Sequence, residues 1–262
     1  MEIFIYVMTF ILGTLIGSFC TLAVYRIPLN KNITHEHSVC TKCNHKLLFL
    51  DLIPIFSYIF LKGKCRHCKE PIRIRYLLLE ILSGIVFFLF VFSLKLNVFE
   101  IEIAKFVYFV LGSLYIISLV LIAGIDKERK QVQKNVLVFG FIVSFIYIIY
   151  LYIVGQTNVY RYVIYLFIMC ILVIFDMYML KKGNSANYTI HILLLCILTC
   201  LFTDGEVFGY TAIVTLVLMA INLIYNKIKK KEEGLVPIAF HLCISNIAIL
   251  ILQNYIVNYL NI

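Results

Sequence analysis

Eight apolar runs, at 3–25, 76–94, 106–125, 136–154, 160–180, 188–203, 207–225 and 235–257, constrain this chain more than any other feature. An α-helix rises 1.5 Å per residue, so about 20 apolar residues cross the hydrocarbon of a bilayer. The chain has 262 residues and is 63% hydrophobic. A soluble fold of that composition would lack the polar residues to cover its surface. The runs therefore predict an all-α polytopic membrane protein of about eight transmembrane helices. The sixth run is the shortest. The first lacks a basic flank and is too long for a cleavable signal, which predicts a retained helix.

Lysine and arginine alternate with the runs. The segments after runs one, three, five and seven hold 20 of the 23 Lys and Arg residues; the termini and the other segments hold 3. Cationic loops stay on the cytoplasmic side. The split predicts both termini outside and the odd loops inside, and it explains the net charge of +9 as a topology signal. No basic groove interleaved with aromatics points to nucleic acid.

The longest of these basic loops carries Cys40-x-x-Cys43 and Cys65-x-x-Cys68, separated by 21 residues. Paired C-x-x-C motifs at such spacing predict a closed structural zinc site. Four thiolates fill a tetrahedron and leave no open position. Metal binding worth about 10–16 kcal/mol would hold together a segment too small to bury much apolar area. Two disulfides or four unrelated thiols are the alternatives, and the reducing cytoplasmic side disfavours the disulfides. His45 and His67 are expected to lie outside the ligand set. The other five cysteines, Cys20, Cys170, Cys196, Cys200 and Cys243, fall in the apolar runs and read as packing residues.

Glu80, Arg161, Asp176 and His241 are ionisable residues within or at the ends of runs. Arg161 and Asp176 are read as snorkelling from helix ends, and Glu80 as the more informative position. Gly13 and Gly17 form a G-x-x-x-G face suited to close helix packing. The stretch DLIPIFSYIFLKGK between the cysteine pairs is apolar but broken by Pro54. It is too short to span, and reads as an interfacial element or the core of the zinc segment. The run at 227–233 reads as a solvated loop beside anionic headgroups.

In this setting, Gly17-Ser18-Phe19, Arg26-Ile27-Pro28, Cys40/Cys43, Asp51-Leu52-Ile53-Pro54, Ser57-Tyr58, Gly63, Cys65/Cys68, Tyr76 and Glu80 follow one another in order. This amino-terminal third resembles the type IV prepilin leader peptidase/N-methyltransferase family. The resemblance implies cleavage of a basic leader from prepilins or pseudopilins at the cytoplasmic face of the bacterial inner membrane. It also implies methylation of the new amino terminus with S-adenosylmethionine, although no S-adenosylmethionine fingerprint is recognisable. Two aspartates at cytoplasmic helix ends carry the family's proteolysis. Two such carboxylates share a proton: the ionised one activates water, the protonated one donates to the scissile carbonyl.

Asp126 closes an apolar run in LIAGIDKERKQ and matches the first aspartate. The second belongs to a G-x-G-D-x-K motif. In register, Asn184 and Ala186 replace its glycines, Asn187 its aspartate and Thr189 its lysine. Near the carboxy terminus, Val236-Pro237-Ile238-Ala239 keeps one proline of a Pro-Phe-Gly-Pro. An amide at 187 cannot pass a proton. Asp176 and Asp204 are the remaining candidates for a second acid, the first within a run and the second on the predicted outer side.

The expected organisation is a first transmembrane helix (1–25), a cytoplasmic zinc-binding segment (26–75) and a seven-helix membrane bundle (76–262). The primary expectation is a membrane aspartic endopeptidase and N-methyltransferase acting on prepilins. The alternatives are a proteolytically degenerate paralogue that binds or methylates prepilins, and a membrane scaffold or transporter unrelated to pilins.

Overall fold

The computed structural model describes residues 2–33, 37–40, 42–95, 102–155, 159–181, 188–203, 205–229 and 236–260. Among them the order is α1 (Glu2–Arg26), α2 (Phe56–Phe60), α3 (Arg75–Leu94), α4 (Ile103–Arg129), α5 (Lys134–Val154), α6 (Val159–Lys181), α7 (Tyr188–Phe202), α8 (Gly205–Ile228) and α9 (Ile238–Leu260), with 3-10 turns at Ile27–Leu29 and Phe49–Leu52. Each of the eight apolar runs coincides with a helix. Among the described residues six helices are long and apolar enough to cross a membrane, and Tyr188–Phe202 and Ile238–Gln253 are shorter apolar helices. This is an all-α, multi-pass membrane protein. The side chains obey the logic of a lipid solvent: Phe167, Ile171, Ile174 and Ile213 are exposed, while Ser118, Asp126, Thr199, Ser245 and Asn246 are buried.

The chain forms two compact units, Met1–Phe106 and Val107–Ile262. In the first, α1 packs along α3 through small residues. A Cβ on Gly13 would lie 2.8 Å from Ser83 O and 2.9 Å from Gly84 Cα, and one on Gly84 would lie 2.7 Å from Thr14 Cγ2. The glycines let the two backbones approach where lipid offers no hydrophobic drive for association. The buried Arg26 guanidinium ends α1 by donating to the carbonyls of Asn32, Ile33 and His37, which folds the chain back beyond Pro28.

The two cysteine pairs have the same backbone design. Cys40 N–H donates to His45 O, and Cys65 N–H to Glu70 O. Asn44 and Lys69 turn with positive φ (53° and 60°) and donate back to Cys40 O and Cys65 O. A bridge closes each turn, Val39 with Lys46 and Lys64 with Pro71. Between the knuckles, Tyr58 lies over Gly63, where a Cβ would meet its ring at 2.9 Å and φ is +66°. Its hydroxyl donates to Ile72 O at 3.3 Å. The Ser-Tyr and Gly of the sequence are thus one packing device.

In the second unit the core is built by Tyr115, Ile116, Leu119 and Ile122 of α4, Leu195, Leu198 and Phe202 of α7, and Leu242, Cys243 and Leu250 of α9. Tyr115 stacks on Phe202 at 4.1 Å between centroids. Its hydroxyl donates to Asn246 Oδ1 at 2.9 Å, so a polar group deep in the unit is satisfied internally.

Candidate functional site

The four cysteine sulfurs come together. All lie within 4.8 Å of one another, and Cys40 Sγ to Cys68 Sγ is 3.8 Å. Zn–S bonds of about 2.3 Å would set tetrahedral edges of about 3.8 Å, whereas a disulfide needs about 2.05 Å. The donor set therefore fits a metal, and the four thiols are free. The Cys43 N–H, then that of Lys42, lowers the Cys40 thiol to about 6. At Cys68 the Glu70 N–H acts in the same sense, but desolvation and the three neighbouring sulfurs outweigh it and push that thiol up to about 12. His45 and His67 are exposed and stack on each other at 4.4 Å, outside the sulfur cluster.

Glu80 reaches back from the second turn of α3. Its Oε2 accepts the Ile55 N–H at 2.8 Å. Ile55 has φ 64° and ψ −55°, and Phe56 N–H donates to Pro54 O at 2.6 Å across it. That is the rarer sense of γ-turn, strained for a β-branched residue by about 1–3 kcal/mol. Glu80 is thus a clamp on a strained turn.

Asp126 lies near the end of α4 and is fully buried. Its Oδ1 accepts the Tyr188 hydroxyl at 2.8 Å, and its Oδ2 accepts the Phe240 N–H at 2.9 Å. Phe240 is in the first turn of α9, where backbone N–H groups have no intrahelical partner and a negative charge is favoured. Tyr188 opens α7, and its oxygen accepts the Ile238 N–H at 3.2 Å. One carboxylate thus joins the ends of three helices. Lys127 covers the Phe240 ring at 4.6 Å. Just beyond α4, burial holds the Lys130 ammonium below its ordinary pKa, opposed by the charge of Asp126.

Asn187 and the rest of 183–187 lie outside the described residues, as does Asp204. Tyr188, which follows Asn187 in the chain, is bonded to Asp126.

Asp176 does not snorkel. It is buried, with Oδ2 at 2.5 Å from Lys134 Nζ and 3.7 Å from His191 Nε2. An unpaired acid in that position would be costly, so α6 is joined to the start of α5 beside the first turn of α7. His241 Nδ1 lies 2.7 Å from Pro237 O and its Nε2 3.0 Å from Asn222 Nδ2. Tyr188, Lys134 and His191 escaped the sequence reading. Each is an ordinary first-turn residue until a partner from another helix arrives.

The profile of the Bacterial Peptidase A24 N-terminal domain matches residues 11–94. A prepilin leader peptidase/N-methyltransferase of Vibrio cholerae is 30% identical over 155 residues, covering 55% of this chain and 57% of the relative. Proteins of the same name from Myxococcus xanthus and Bacillus subtilis are each 40% identical, over 82 and 78 residues; the matches cover 31% and 30% of this chain, and 24% and 32% of those relatives. The chain thus spans from about a quarter to somewhat over half of these relatives' length. No solved structure matches. Knuckles, clamp and glycine-packed helix pair all fall inside the matched stretch, so the amino-terminal third of this chain is similar to the prepilin leader peptidase/N-methyltransferases.

Proposed function

We propose that this chain is a membrane-embedded leader peptidase and N-methyltransferase of type IV prepilins or pseudopilins, working at the cytoplasmic face of the bacterial inner membrane. The observation that carries the reading is the position of Asp126, a buried carboxylate bonded to the residue that follows the second motif position. In this reading Asp126 is the ionised partner that polarises water toward the scissile carbonyl. The hydrogen bonds from Tyr188 and Phe240 orient it and must loosen or be shared when water and peptide enter. Asn187 holds the position of the proton donor but can only hydrogen-bond. This is where proteolysis by this chain is most exposed to test.

Cys40, Cys43, Cys65 and Cys68 would hold zinc, which supplies a structural cross-link and no catalytic position. S-adenosylmethionine enters as methyl donor only through the methyltransferase half of the relatives' name, and no described residue is assigned to it. The cytoplasmic placement of the knuckles rests on the 20-to-3 division of Lys and Arg. Reporter fusions at 38, 98, 156 and 230 are expected to read inside, outside, outside and inside.

The test of function is leader cleavage of a prepilin reporter, followed by mobility shift in cells lacking other prepilin peptidases. If the reading holds, Asp126→Asn abolishes cleavage. Joint Asn184→Gly, Ala186→Gly, Asn187→Asp and Thr189→Lys raises cleavage above the unaltered chain, and the gain disappears when Asp126→Asn is added. Cleavage indifferent to Asp126→Asn would overturn the assignment. No cleavage by either chain, with retained prepilin binding, would leave a non-proteolytic member of the family.

A further inference from the structure

Between the two knuckles the chain presents an apolar face that its own fold leaves uncovered. Phe49 is 81% exposed and Phe60 80%, and Leu50, Phe56 and Ile59 are exposed with them. This is not an unformed core, because other residues of the same segment are fixed. Pro54 is buried, Tyr58 packs on Gly63, and Asp51 pairs with Arg66 at 2.7 Å. Aromatic and aliphatic side chains turned outward from a well-tied segment mark an interaction surface.

Its level in the molecule identifies the occupant. The segment is joined to α1 at one end and α3 at the other, both long and apolar enough to span a bilayer. Glu80 lies five residues into α3, about 7.5 Å along the axis from its first residue. The Ile55 N–H is bonded to that carboxylate at 2.8 Å, so the start of α2 is held at the depth of the opening turns of a spanning helix. With α3 taken as a span that opens at Arg75, that depth is a membrane interface. The charge agrees: residues 37–75 hold eight Lys or Arg against Asp51 and Glu70, and those two acids are paired with Arg66 and Lys42. An apolar surface on a segment of net positive charge suits an anionic headgroup layer, while Lys42, paired with Glu70 on the first knuckle, is assigned to the aqueous side.

We propose that the face formed by Phe49, Leu50, Phe56, Ile59 and Phe60 rests in the headgroup–acyl boundary of an anionic phospholipid bilayer, as an interfacial foot between α1 and α3. The foot sets the height of the cysteine knuckles above the membrane. It holds whether or not the chain cleaves prepilins.

The chain contains no tryptophan, so Phe60→Trp and, separately, Phe49→Trp each introduce a sole indole reporter. The full chain is reconstituted in nanodiscs of phosphatidylcholine and phosphatidylglycerol, with bromines near either the headgroup end or the methyl end of the acyl chains. Lys42→Trp, on the first knuckle, is the aqueous comparison. A thermal unfolding midpoint matching that of the unsubstituted protein establishes that each variant is folded. Both phenylalanine replacements are expected to emit blue-shifted light. They should be quenched at least twofold more by bromines near the headgroup than by those near the methyl end, and Lys42→Trp should be quenched by neither. Emission and quenching at 49 and 60 matching those at 42 would overturn the proposal. So would blue-shifted emission that bromines leave untouched, which would mean that a polypeptide surface covers the face.

Discussion

The Tyr188 hydroxyl donates to Asp126 Oδ1 at 2.8 Å, tying the side chain that opens α7 to the carboxylate near the end of α4. Through Asp126 Oδ2 and the Phe240 N–H, the same carboxylate caps the start of α9. The residue proposed for catalysis is therefore also a joint between helices, and its substitution has a structural effect separable from chemistry.

Asp126→Ala should leave the Phe240 N–H and the Tyr188 hydroxyl without their acceptor, lowering stability by about 2–4 kcal/mol. Tyr188→Phe removes one hydroxyl and should cost about 1–2 kcal/mol. Asp126→Asn keeps an acceptor for one of the two donors and should fall between them. Thermal unfolding in detergent orders the three. Equal midpoints for Asp126→Ala and the unaltered protein would mean that the joint carries no stability.

Glu80 and Ile55 should be coupled. Glu80→Ala removes a charge-assisted hydrogen bond worth about 1.5–3 kcal/mol and leaves the strained turn unsupported. Glycine adopts positive φ without the steric penalty, so Ile55→Gly should recover part of that loss in the Glu80→Ala background. The measurement is a double-mutant cycle on unfolding, with metal release to a chelator as a local readout. Purely additive effects would show that the carboxylate does not act on the turn.

Purified protein should contain one zinc per chain, and Cys65→Ser should abolish tight binding. Every ligand thiol must lose its proton to bind metal, so affinity should rise with pH and binding should release protons. Elemental analysis and calorimetry in buffers of different ionisation enthalpy check both statements. Metal content that stays near zero after reconstitution would remove zinc from the account.

The glycine face of α1 should resist a single methyl group. Gly13→Ala places its Cβ against Ser83 O and Gly84 Cα, both backbone, and should destabilise by about 1–3 kcal/mol despite the better helix propensity of alanine. Gly209→Ala meets nothing within 4 Å and should be neutral or slightly stabilising. Their unfolding midpoints, compared side by side, separate packing from propensity.

Helix number and the repeat of the two knuckles could be read from the chain alone. Apolar run length and C-x-x-C spacing are local quantities, and a bilayer or a metal imposes its geometry within a few residues. The glycine face of α1 was legible for the same reason, though its partner α3 was not. Asp126 could be marked through the family resemblance, which gave meaning to its place at the end of a run. Its acceptor role toward Tyr188 and Phe240, 62 and 114 residues away, could not. Asp176 read as a snorkelling acid because its position near a helix end was visible, whereas Lys134 and His191 came from two other helices. Nor did the apolar stretch between the cysteines reveal its direction: Pro54 turned inward, and Phe49 and Phe60 turned outward. Local periodicity decides that a helix forms and which residues share a face. Which faces meet, and hence which buried polar groups find partners, is settled only when helices distant in sequence pack together.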